Sequence, residues 1–222
     1  MHLSDVLALP FGAASAIRHR RVFHPNGVLA SGAIERVARP GEGLPVMSCD
    51  AIGRVSKAIG LPGATPDIVG LAWRTPPQQP SAPPWDVLMA STGGGGVGRV
   101  LLRPVTSWPG AVLSTLMPLG YQGGVWWLRA RLVTNLVTPE LSMAAVTNQF
   151  ERGGLEFDIE QAAGAGEFHQ LARLRLTEVV PGQDMAFDPT LNTAPGVQLL
   201  PCWLTEFRRA AYRRSRQGRH AE

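Results

Sequence analysis

Residues 125–136 alternate: Trp126, Leu128, Ala130, Leu132, Thr134 and Leu136 fall on one face, with Arg129, Arg131 and Asn135 among the residues on the other. A period of two that sets an apolar face against one bearing charge demands a half-buried strand in an antiparallel sheet. Residues 155–160 and 168–177 repeat the pattern. Further strands are expected at 21–37, with Gly27 and Gly32 as bulge points, at 67–75 with Trp73, and at 85–92, while residues 38–66 read as turn-rich but hold Ile52-Gly53-Arg54-Val55-Ser56-Lys57. The joins between them hold many of the 25 glycines and 19 prolines. Short strands with turn-rich joins, and helices mainly near the ends, predict an α+β chain built on an antiparallel β-barrel with peripheral helices. Residues 105–120 are expected to form a short helix, and residues 1–20 a leading helix or arm. With 222 residues, no internal repeat and no linker, one domain is expected over residues 1–222.

Composition narrows the classes. Hydrophobic residues make up 45% and charged residues 17%, the balance of a globular chain. Cys49 and Cys202 lie too far apart for a metal-type pair, which points to a reduced, cytoplasmic setting. No apolar run reaches the ~18 residues of a membrane span. The formal charge of +4 is concentrated at residues 18–21 and in the last twenty residues. Aromatic residues do not interleave with either cluster as a base-stacking surface requires, so nucleic acid is not an expected partner.

Two further stretches bear on chemistry. Residues 202–219 lack proline and carry apolar side chains at 203, 204, 207, 210 and 211, which predicts a C-terminal helix. Arg208, Tyr212, Ser215 and Arg219 then fall within roughly 60° of one another. Such a face is either a solvated basic tail or a tyrosine held as phenolate by Arg208, a known ligand for ferric haem iron. The run from Gly93 to Gly98 formally contains G-x-G-x-x-G after a strand. Arg99 to Pro104 carries the β-branched Val100 and ends in proline, however, so no helix N-terminus faces a pyrophosphate and the run reads as a loop.

Three short stretches together resemble the haem core of the catalase superfamily. Arg21-Val22-Phe23-His24, followed by Gly27, Ala30, Gly32 and Glu35, is similar to the family's distal-histidine strand. Arg54-Val55-Ser56, with Gly70-Leu71-Ala72 and Trp85-Asp86 beyond it, is similar to the family's R-F-S segment. Phe187-Asp188-Pro189, leading to Arg208-x-x-x-Tyr212 and Arg219, resembles the proximal stretch. The resemblance spans residues 20–220 and is weakest between 95 and 165. It implies haem b, with Tyr212 as iron ligand, Arg208 sharpening its phenolate, and Arg21, Arg54 and Arg219 meeting the haem. His24 becomes the distal acid–base residue, with Ser56 as its hydrogen-bond partner.

One departure shapes the expected activity. Full catalases carry a distal Asn after the W-D-L strand; here the place reads Ala90-Ser91-Thr92, leaving Ser91 as the available donor. The chain also lacks the length of a full catalase and looks like the small catalase-related proteins. The expectation is therefore a haem peroxidase acting on hydrogen peroxide or organic hydroperoxides, with a small-molecule reductant or organic substrate as partner. A biosynthetic or hydroperoxide-rearranging enzyme and a non-catalytic haem-binding protein are the alternatives, and a homodimer is expected.

Overall fold

A computed structural model describes residues 26–58, 65–93, 98–183 and 185–200. The expected arm at 1–20, Arg21, His24 and the C-terminal helix with Arg208, Tyr212 and Arg219 lie outside the described residues. Ten strands form one antiparallel sheet: β1 (Asn26–Arg36), β2 (Cys49–Lys57), β3 (Val69–Thr75), β4 (Trp85–Ser91), β5 (Val112–Ser114), β6 (Leu119–Tyr121), β7 (Gly124–Leu132), β8 (Leu155–Ala163), β9 (His169–Val179) and β10 (Gln198–Leu199). The circuit β1-β2-β3-β4-β5-β7-β8-β9 closes on itself because β9 returns to β1 and β7 pairs with β8. The result is a closed eight-stranded barrel, with β6 and β10 as a short flap beside β7.

The alternation read from the sequence is the inside–outside pattern of this wall. Val55, Leu71, Met89, Leu113, Ala130 and Ile159 point inward and are almost wholly buried. Arg129 and Arg131 point outward, where Glu160 pairs with both. Closure removes the free edges that a flat sheet of this size would expose. Of the two glycines expected as bulge points, Gly32 sits at a register shift between β1 and β9. A Cβ there would collide with the Arg175 carbonyl. Gly27 instead pairs in regular register with Ser56.

The short helix expected at 105–120 is not formed. That stretch supplies β5 and β6, joined through Leu116 at φ 59°. Pro104, Pro109 and Pro118 with Gly110 leave no run longer than the seven residues 111–117, and Val112-Leu113-Ser114 in that run completes the barrel wall instead. Among the described residues the α-helix is α1 (Met143–Phe150), capped by Ser142, whose hydroxyl accepts from the Ala145 N–H at 3.1 Å.

Each end of the barrel is stoppered by a different device. At one end Lys57 and Asp67, both buried, lie 4.0 Å apart, and the Lys57 ammonium donates to the Leu141 carbonyl at 3.1 Å. At the other end the loop 37–48 drives Leu44 into the core. Arg36 organises that loop by donating to the carbonyls of Ala38, Arg39, Glu42, Leu44 and Val46 at 2.6–3.1 Å. Gln161 adds a clamp, accepting from the Leu44 N–H and donating to the Glu42 carbonyl. Arg36→Met should therefore cost about 3 kcal/mol or more in urea unfolding, because several carbonyls lose their donor at once. Arg36→Lys should recover only part of it, since an ammonium has three donors and no planar fork.

Candidate functional site

Adjacent antiparallel strands place register partners on the same face, so the pairing orders the residues of the outer wall into rows. One row runs Gly27, Ser56, Gly70, Ala90, Ser114, Arg129 across β1, β2, β3, β4, β5 and β7. The next runs Leu29, Arg54, Ala72, Leu88. The first four members of the first row carry nothing larger than a serine hydroxymethyl. They make a shelf on the barrel exterior from which side chains are all but missing, with Arg54 beside it.

Local chemistry keeps the shelf in that shape. A Cβ on Gly27 would lie 2.6 Å from Arg54 Nε and 2.9 Å from Ser56 Cβ, so glycine is what lets the arginine lie across β1. Ser56 is 2% exposed, and its hydroxyl reaches the Gly70 carbonyl only at 3.5 Å. That is long for an O–H···O bond, which leaves the hydroxyl able to serve another acceptor or donor. A cavity of about 260 Å³ opens alongside, lined by Gly27, Leu29, Arg54, Thr147 of α1 and Val180.

Ser91, the residue expected to stand in for the distal amide, lies on the opposite face from Ser56. Its hydroxyl accepts from the Val69 N–H at 3.1 Å and donates to the Arg103 carbonyl at 2.7 Å, with no exposure to solvent. The residue of β4 that shares the shelf with Ser56 is Ala90. The sequence held the signal: Trp85, Val87 and Met89 are the inward positions of β4, and Ser91 continues their parity.

The segment leading toward Tyr212 is fastened to the same wall. Asp86, buried on the outer face of β4, accepts from Arg74 Nε and Nη2 at 2.6 and 2.7 Å, from the Asp188 N–H at 2.7 Å and from Asn192 Nδ2 at 2.7 Å. Arg74 also donates to the Ala186 carbonyl and stacks on Phe187 at 5.6 Å. Its guanidinium is raised above its ordinary value, chiefly by the hydrogen bonds to Asp86. Asp188 Oδ1 holds the Thr190 N–H and hydroxyl in turn. Two stretches that the sequence set apart, Trp85-Asp86 and Phe187-Asp188-Pro189, are thus one hydrogen-bonded clasp.

Other chemistries find less support. Among the described residues no group of three His, Cys, Asp or Glu side chains could hold a metal ion. Burial, with Asp50 nearby, pushes the Cys49 thiol up, away from a reactive thiolate. No helix among the described residues is long and apolar enough to cross a membrane. No protein-family model matches the chain, and no curated protein matches it either.

Proposed function

We propose that the chain is a haem-dependent oxidoreductase that activates hydrogen peroxide or an organic hydroperoxide on a Tyr212-ligated ferric haem b, as a peroxidase with weak or no catalase activity. The observation that carries the reading is the shelf: Arg54 and Ser56 of β2 share the outer face of the barrel with Gly27 of β1, Gly70 of β3 and Ala90 of β4. A floor of small residues suits a flat macrocycle, and a guanidinium at its margin suits a propionate. The clasp of Asp86 to Asp188 and Asn192 adds support, since it ties the chain that runs on to Tyr212 to the same side of the barrel.

When bound, the haem supplies the redox chemistry; the protein's part is to position, to ionise and to move a proton. Arg21, Arg54 and Arg219 would hold the propionates, and Arg208 would keep the Tyr212 oxygen ionised. His24 would take the proton from one peroxide oxygen and return it to the other, with Ser56 orienting the imidazole. Ser91, spent on two backbone groups inside the barrel, has no part in this. Ala90, facing the shelf, has no group with which to hold a second peroxide, and that favours an external reductant over disproportionation.

Two outcomes test the reading. With haem-loaded protein and hydrogen peroxide, oxidation of guaiacol should outrun oxygen release, and His24→Ala should slow it by ~10²–10⁴. Faster oxygen release would overturn the peroxidase assignment, and an undiminished rate in the variant would leave a haem carrier. Gly27→Ala should loosen haem retention roughly tenfold, about 1.4 kcal/mol, by displacing Arg54. Transfer of haem to apomyoglobin measures it.

A further inference from the structure

A second cluster on the outer wall lies outside the shelf. Gly93 and Gly98 meet backbone to backbone, where a Cβ on Gly98 would come within 2.9 Å of the Gly93 carbonyl carbon. The turn Gly98–Val100 then lays Arg99 against the outer wall, where it is 6% exposed. Its guanidinium lies 4.9 Å from the centre of the Phe168 ring and 5.4 Å from that of Trp127. Arg129 stacks on the same Phe168 ring at 4.1 Å.

The charges in this cluster do not balance. Arg99 Nη1 donates to the Gly164 carbonyl at 3.1 Å, while Nε is buried and has no partner among the described residues. No carboxylate pairs with Arg99 among those residues. Arg129 and Arg131 share Glu160 at 2.6 Å each, so among the described residues three guanidinium groups stand beside one paired carboxylate. Burial and the Arg129 charge both push the Arg99 guanidinium below its ordinary value. Ring faces attract cations but carry no net charge to cancel them. A buried cation without a counter-charge is costly, and this cluster is short of negative charge.

The geometry points to an anion site here: the carboxylate of a small, flat organic acid, held by Arg99 and Arg129 against Trp127 and Phe168. A planar guanidinium matches a planar carboxylate through paired N–H donors, and the two rings favour a flat body over a tetrahedral ion. The site stands whether or not the chain binds haem.

Calorimetric titration of the full chain at low ionic strength, with benzoate and separately with inorganic phosphate, tests it. Benzoate should bind saturably and more tightly than phosphate. Arg99→Met and Arg129→Met should each weaken benzoate at least tenfold, and Arg173→Met, on the β8–β9 side of the wall, by less than twofold. Arg129, whose side chain is 22% exposed, keeps the test alive if the Arg99 variant fails to fold. No saturable benzoate heat, an unchanged affinity in Arg129→Met, or phosphate binding as tightly as benzoate would overturn the assignment.

Discussion

Asp86→Ala should lower stability by about 3–5 kcal/mol and release the segment 185–192 from the barrel. The carboxylate is 1% exposed and is the common acceptor for Arg74, the Asp188 N–H and Asn192 Nδ2. Its removal strands a guanidinium and two neutral donors together, which is the costly way to break a buried charged network. Asp86→Asn keeps the shape and one carbonyl oxygen, and should cost roughly half as much. Under the haem reading the alanine variant should also hold the cofactor less tightly, because the chain leading to Tyr212 then keeps only its later attachment, β10 on β6. Urea unfolding gives the first effect. Limited proteolysis around residue 186 gives the second, and cleavage no faster than in the wild type would contradict the clasp.

The second large effect is expected at the opposite device, the stopper of Lys57 and Asp67. Lys57→Met should destabilise the protein by about 3–5 kcal/mol, since the fully buried Asp67 carboxylate loses the ammonium 4.0 Å away. The double variant Lys57→Met, Asp67→Leu should be more stable than Lys57→Met alone, within about 1–2 kcal/mol of the wild type. An apolar plug of similar volume carries no desolvation penalty. A double-mutant cycle reads the coupling directly. Additive losses would mean that the two groups act through separate partners, not as one pair.

Much of the barrel was legible in the sequence because its wall has one apolar face throughout. The alternation over residues 125–136 announced β7 and its orientation, although the strand ends at Leu132, four residues before the pattern does, and Gly32 marked the register shift between β1 and β9. The stoppers were not legible. The loop 37–48 looks like turn-rich filler, and its role depends on Arg36 collecting carbonyls from residues scattered along it. Nor was the split between β5 and β6 visible, since short apolar runs between prolines carry no clear period. At the site, motif spacing picked out Arg54 and Ser56 together, and the register put them on one face. Ser91 follows Trp85-Asp86 where the distal amide would stand, whereas the parity of β4 decides which way it points. The Arg99 cluster escaped because its members come from three distant segments, united only when the barrel closes.

The central claim is that Tyr212 ligates a ferric haem seated at the shelf. The visible absorption spectrum of the full chain expressed with ample haem, beside a Tyr212→Phe variant, tests it most directly. The account predicts a Soret band with the features of ferric haem bound by a phenolate, altered or lost in the variant. A wild-type protein that takes up no haem, or a spectrum that the substitution leaves unchanged, would contradict it.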